Sequence, residues 1–234
     1  MNIIKSFIFS LFFYGWCLLC FLLCLPLLAG PRGWVRKAGQ VWLKGIDVLL
    51  KRIIGLSYTA IGTEHIPPHP LLYAVKHQSS WETLILLLCI PNGVFILKRE
   101  LLLLPFLGWY LKKTGQIAID RGAGPTALKS ILRRSKEAVS QGLSPIIFPE
   151  GTRVAPGYKK PYQPGIAALY KELNLPVIPV ALNSGLFWPR DSFIKKQGNI
   201  TLRFLPGIEP GLSRKDFMLE LEKRIEEASN QLLA

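Results

Sequence analysis

Apolar and polar positions divide the chain into stretches with different periods. From Phe7 to Ala29 there is no charged residue. About 23 such positions make about 35 Å of helix, enough to cross the hydrocarbon core of a bilayer. Gly30-Pro31-Arg32-Gly33 then reads as a turn, because Gly and Pro interrupt helices and permit reversal. After it Trp34, Ala38, Val41, Trp42, Gly45, Ile46, Leu49 and Ile53 recur at helical spacing, with Arg36, Lys37, Lys44, Lys51 and Arg52 on other faces. That pattern predicts an amphipathic helix lying at a membrane interface with its tryptophans at headgroup depth. The same periodicity also allows an ordinary core-packing helix.

Past residue 55 the period changes. Tyr58–Ile61, Leu71–Val75, Val94–Leu97, Gln116–Ile119, Pro145–Phe148, Val177–Leu182 and Ile200–Phe204 are short apolar runs of strand length. Between them Trp81–Cys89, Thr126–Gln141 and Ile166–Leu173 carry helical patterns, and Ile66–Pro70 is a Pro-rich connector. Ser213 and Asp216 form a capping box before the stripe Phe217, Leu221, Ile225, Ala228 and Leu232, which predicts a docking helix. Alternation of this kind predicts an α/β domain, a mostly parallel sheet flanked by helices, preceded by an N-terminal membrane-associated helix pair. The expected division is a membrane anchor over residues 1–55 and a catalytic domain over residues 56–234.

Charge and composition sharpen that picture. Half the residues are hydrophobic and the formal net charge is +14, a pairing that suits an anionic membrane surface. A nucleic-acid partner is not expected, since no stacking module interleaves the basic residues, which run from Arg32 to Arg224. Cys17, Cys20 and Cys24 lie inside the apolar run and only Cys89 lies outside it. Neither a disulfide framework nor a metal or redox pair fits that placement; small buried hydrophobes do. Basic residues on the C-terminal side of the run predict a cell inner membrane location with the catalytic domain on the cytoplasmic side. A cleaved signal peptide is disfavoured by the length of the apolar run.

The chemistry concentrates at strand ends. Val75-Lys76-His77-Gln78-Ser79-Ser80-Trp81-Glu82 passes from a strand through a short loop into a helix. A neutral imidazole there suits removal of a hydroxyl proton, and Glu82 would hold one ring nitrogen and stabilise the imidazolium. Ser79-x-x-Glu82 equally spells a helix capping box, in which Glu82 serves backbone donors. Unpaired backbone N–H groups around Gln78 to Trp81 would suit a developing oxyanion.

Two further segments follow strands. In Phe148-Pro149-Glu150-Gly151-Thr152-Arg153, Gly151 permits close backbone approach, Thr152 offers a hydroxyl, and Arg153 presents a planar fork matched to phosphate oxygens. The plainer alternative is a turn with Glu150 and Arg153 in a local ion pair. Lys98 and Arg99 would bind a phosphate head while the apolar residues Leu101–Trp109 line an acyl path or touch the membrane; an apolar surface helix with a basic start gives the same pattern.

These three segments in this order, with Gln116–Arg121 (QIAIDR), Val177–Ala181 (VIPVA) and Phe187–Arg190 (FWPR), resemble the bacterial 1-acylglycerol-3-phosphate acyltransferases of the glycerolipid acyltransferase family. The resemblance covers roughly residues 58–207. It implies that His77 is the general base, that Lys98 and the segment Glu150, Gly151, Thr152 and Arg153 bind the glycerol phosphate, and that Pro179 shapes a nearby strand. The family pattern has Asp where this chain has Glu82, so the carboxylate is kept while its reach differs. The implied reaction carries an acyl chain from acyl-CoA or acyl carrier protein to a lysophospholipid, giving phosphatidic acid, with no cofactor and no metal. Glycerol 3-phosphate and lyso-aminolipids are alternative acceptors within the family, and a non-catalytic, membrane-surface lipid-binding protein is the alternative of another class. A lipid hydrolase is disfavoured, because the chain contains no G-x-S-x-G nucleophile elbow.

Overall fold

The computed structural model describes residues 2–120, 122 and 124–233. Arg121, the last residue of the QIAIDR segment, lies outside the described residues. Among the described residues seven strands form one sheet: β1 (Leu56–Ile61), β2 (Leu72–Val75), β3 (Gly93–Lys98), β4 (Ile117–Ile119), β5 (Ser144–Ile147), β6 (Val177–Leu182) and β7 (Gly198–Phe204). Their order is β1-β7-β6-β2-β5-β3-β4. Every neighbouring pair is parallel except β6 with β7. The sheet is therefore mostly parallel, and the loops leaving β6, β2, β5 and β3 open on one edge, where parallel α/β sheets present their ligand sites.

Helices cover both faces. On one, α5 (Pro125–Ser140), α6 (Gly165–Leu173) and α7 (Arg214–Gln231) bury Ile131, Ile166, Leu169, Phe217 and Leu221 against Leu72, Val94 and Val177. The capping box holds: Ser213 Oγ accepts the Asp216 N–H at 3.1 Å, and Phe217, Leu221, Ile225 and Ala228 are buried as their stripe requires. On the other face α3 (Trp81–Cys89) sends Trp81 and Ile85 into a cluster with Phe9, Leu43, Ile46, Leu50 and Ile54. Those residues belong to α1 (Asn2–Leu23), α2 (Arg32–Leu49) and the π-helical turn Leu50–Ile54 that continues it. The helix α4 (Leu107–Thr114) falls partly within the apolar stretch that sequence periodicity left without a structure.

The N-terminal pair departs from its pattern in three ways. The first helix ends at Leu23, and Leu25–Ala29 forms a tighter 3-10 turn. Pro26 near its start has no N–H to extend the α-helical ladder. The second helix begins at Arg32, directly after Pro31, so the reversal is shorter than expected. Its buried stripe is Val35, Leu43, Ile46, Leu50 and Ile54, while Trp34, Val41 and Val48 point outward. Sequence periodicity could not choose between these faces because both are apolar; packing between α1 and α3 chose. Trp42 packs inward: Trp16 Nε1 donates to its carbonyl at 2.9 Å, and its own indole N–H reaches Cys17 Sγ.

Candidate active site

His77 follows β2 directly, at the centre of the open sheet edge. Its Nδ1 lies 2.9 Å from Glu82 Oε1. That oxygen also accepts the backbone N–H groups of Gln78 and Ser79, each at 2.7 Å. Glu82 Oε2 accepts the Ser184 hydroxyl at 2.8 Å, and the carboxylate is fully buried. The capping and orienting readings of Glu82 therefore describe one arrangement. A buried carboxylate is tolerable here because every donor around it points at it.

The expected oxyanion donors are largely spent. Gln78 and Ser79 give their N–H groups to Glu82, and Trp81 gives its own to Ser79 Oγ at 3.1 Å. This corrects the view of that stretch as a set of open amides. The turn holds its shape because the Glu82 side chain replaces the missing helical acceptors.

The ring of His77 is fixed from its face as well as its edge. Phe148, at the end of β5, stacks on it with centroids 3.9 Å apart and planes inclined by 17°. The backbone N–H of His77 donates to Glu150 Oε2 at 2.9 Å, and its carbonyl accepts from Val154 N at 2.7 Å. The segment after β5 thus clasps the loop after β2. Gly151 turns that segment with φ 68°, a conformation glycine adopts without strain.

Glu150 faces inward, behind His77, and so does not join the exposed cations with which sequence reasoning grouped it. Its Oε1 lies 2.6 Å from the Lys76 ammonium, an ion-pair contact rather than an aligned hydrogen bond. Lys76 also donates to both oxygens of Glu226 on α7, at 2.8 and 2.9 Å, and Tyr162 donates its hydroxyl to Glu226 Oε1 at 2.9 Å. Burial pushes the Glu150 carboxyl above the ordinary carboxylate range, and the adjacent Lys76 pulls it back. The same burial, reinforced by the Glu226 charge, pushes the Tyr162 hydroxyl well up, so it serves as a donor. Lys76, Glu226 and Tyr162 were not foreseen. One signal was available: a lysine directly after four buried strand residues must either snorkel or pair.

The remaining cations lie outside this network. Arg153 Nη1 donates to Ser80 Oγ at 3.1 Å, which sets its guanidinium beside the start of α3, and Nη2 pairs with Asp191 at 3.0 Å. Arg190 Nε pairs with the other Asp191 oxygen at 2.8 Å. Lys98 is half exposed, with Glu100 at 3.3 Å, and Arg99 turns away to Asp120 at 3.2 Å. Thr152 follows Gly151 on the loop after β5. Gly185 brings the Ser184 loop in: its N–H donates to Gln78 Oε1 at 3.1 Å, and a Cβ there would lie 2.7 Å from Pro156.

A cavity of about 860 Å³ with largely apolar walls has His77 on its lining. Phe148, Gly151, Thr152 and Lys98 line it too, as do Leu97, Leu107 and Leu111, and Val35, Gly39 and Phe21 bring α2 and α1 into its wall. It is within the size range of sites for small ligands. The N-terminal helices α1 and α2 thus form part of the wall, which no local sequence pattern announced. Among the described residues no group of three or more His, Cys, Asp and Glu is placed to hold a metal ion.

Comparison with known proteins gives the family and the fold. A family model described as Acyltransferase matches residues 57–183. The 1-acyl-sn-glycerol-3-phosphate acyltransferase of Pseudomonas aeruginosa is 35% identical over 200 residues, covering 83% of this chain and 76% of that protein. The mouse 1-acyl-sn-glycerol-3-phosphate acyltransferase alpha is 30% identical over 224 residues, covering 91% of this chain and 75% of its own length. The crystal structure of the 1-acyl-sn-glycerophosphate (LPA) acyltransferase PlsC from Thermotoga maritima shares the fold, with a TM-score of 0.83 at 21% identity over 100% of this chain and 98% of that one. With the family model and these relatives spanning most of its length, the chain belongs to the acyltransferase family and is an acyltransferase.

Proposed function

We propose that the protein transfers an acyl chain from an acyl thioester to the free hydroxyl of 1-acylglycerol 3-phosphate, giving phosphatidic acid. The observation that carries this reading is the His77–Glu82 pair on the wall of a largely apolar cavity that Lys98 also lines, with Arg153 held on Ser80. The cavity walls suit an acyl chain, and the cations suit a phosphate.

In this mechanism Glu82 accepts the Nδ1–H of His77, which leaves Nε2 free to take the acceptor's hydroxyl proton as its oxygen attacks the thioester carbon. The C–S bond then breaks, and the proton on Nε2 goes to the departing thiolate. No covalent enzyme intermediate is required. Glu150 and Lys76 act as positioning residues through the backbone of His77, and Arg153 with Lys98 holds the acceptor's phosphate. Thr152 offers its hydroxyl to the same phosphate, and Gly151 lets the backbone approach it. Arg99 and Asp120 form an exposed pair.

The helix pair is the membrane-binding part of the same proposal, with residues 1–55 as anchor and 56–234 as catalytic domain. One helix among the described residues, Asn2–Leu23, is long and apolar enough to cross a membrane by length and composition. Phe7, Leu11, Leu18 and Leu22 on α1 and Trp34, Val41 and Val48 on α2 are exposed, an apolar surface suited to lipid. The basic residues that follow favour the cytoplasmic side of the inner membrane.

The test uses protein purified in detergent, supplied with acyl-CoA or acyl carrier protein as donor, against lysophosphatidic acid, glycerol 3-phosphate and a lyso-aminolipid. Lysophosphatidic acid should be acylated, with His77→Ala inactive and Cys89→Ala active. Turnover of another acceptor while lysophosphatidic acid is ignored overturns the substrate assignment. Acyl transfer that survives in His77→Ala overturns the mechanism.

A further inference from the structure

Arg153 and Arg190 lie on the loops after β5 and β6, the strands on either side of β2, and Arg153 touches Ser80, three residues from His77. They converge on one carboxylate. Arg153 Nη2 lies 3.0 Å from Asp191 Oδ1, and Arg190 Nε lies 2.8 Å from Asp191 Oδ2. A second contact fixes their spacing, since Arg190 Nη1 donates to the Arg153 carbonyl at 3.1 Å. Two guanidinium groups held to separate oxygens of one small anion are arranged as a phosphate would require.

Asp191 is poorly suited to be a permanent occupant. Its side chain is 65% exposed, and Arg190 is 49% exposed, so their attraction is screened and weak. The residue sits in the left-handed region with φ 58°, on the turn closed by Ser192 N and the Pro189 carbonyl. A carboxylate carries a single charge; a phosphomonoester near neutral pH carries up to two and has three terminal oxygens.

We propose that Arg190 is a second ligand for the acceptor's phosphate beside Arg153, and that Asp191 fills their anion site until that phosphate displaces it. The inference rests on the acceptor reading given above. It adds a reason for headgroup choice: a site already holding a carboxylate favours a phosphomonoester over a phosphodiester, whose single charge displaces Asp191 less readily. Lysophosphatidic acid would therefore be preferred to lysophospholipids bearing an alcohol on the phosphate.

Initial rates with lysophosphatidic acid as the varied substrate test this in Arg190→Gln, Arg190→Lys and Asp191→Asn. Arg190→Gln should raise KM roughly tenfold or more, the scale of one charge-assisted contact to phosphate, with the loss falling on KM rather than kcat. Arg190→Lys should recover part of it. Asp191→Asn should change KM in the opposite direction, because it removes the internal competitor. A purely structural ion pair predicts that the Arg190 and Asp191 variants lose activity together, and that result overturns the proposal, as does an unchanged KM in Arg190→Gln. Thermal melts accompany each variant; should Arg190→Gln fail to fold, the direction of the KM change in Asp191→Asn decides. Wild-type enzyme that acylates only phosphate-free acceptors defeats the acceptor reading instead. A raised KM in Arg153→Gln with Arg190→Gln unaffected defeats this inference alone.

Discussion

Glu82 Oε1 lies 2.9 Å from His77 Nδ1 while also taking the N–H groups of Gln78 and Ser79. One oxygen thus fixes both the ring and the loop that carries it. Glu82→Gln keeps the shape but removes the charge that stabilises an imidazolium. Its kcat should fall by roughly 100-fold or more, the usual scale for general acid–base groups. Glu82→Asp keeps the charge but shortens the reach, so it should lose contact with Ser184 and cost roughly tenfold. Near-normal turnover in Glu82→Gln would leave His77 acting without this partner.

The Lys76 network makes a prediction about stability and pH. Lys76→Met leaves Glu150 buried without its cation and should destabilise the fold by about 3–5 kcal/mol, the cost of breaking a buried pair. It also removes the influence that lowers the Glu150 carboxyl, which burial already pushes up. A carboxyl raised in the folded chain stabilises it most below the ordinary carboxyl value, and that stability is lost as pH rises through the folded value. The variant's melting temperature should therefore decline more steeply than the wild type's as pH rises above the ordinary carboxyl range. Equal slopes would show that Lys76 does not compensate Glu150.

The cavity predicts control of acyl length from α2. Gly39 on α2 lines it, and a Cβ built there meets no atom within 4 Å. Gly39→Leu therefore projects into open space, and replacing a helical glycine is itself favourable by up to about 1 kcal/mol. Donor competition should show a shift toward shorter acyl chains with little change in melting temperature. An unaltered chain profile would place the donor's chain elsewhere.

The outward face of α2 predicts lipid contact. Val41 and Val48 are 60% and 53% exposed, and inserting each is worth of order 1 kcal/mol or more. Val41→Lys/Val48→Lys should weaken binding to phosphatidylglycerol-containing vesicles by roughly tenfold or more in co-sedimentation despite the added positive charge. Undiminished binding would assign the lipid contact to α1 alone.

The sequence by itself determined the elements of the sheet and the position of His77. Strand runs such as Val177–Leu182 and the capped stripe of α7 depend on local periodicity and short-range hydrogen bonds, which neighbours in the chain specify. The turn at Gly151 was legible from residue type, since glycine adopts its positive φ without strain. Tertiary structure alone decided which side of α2 is buried, because both sides are apolar and only contact with α1 and α3 distinguishes them. It alone brought Glu226 to Lys76, 150 residues away, and Ser184 to Glu82, 102 residues away. It likewise turned Glu150 from a surface candidate into a buried support for His77. Such pairings follow from strand order, since β5, β2 and β6 are spatial neighbours, and no periodicity along the chain encodes that adjacency.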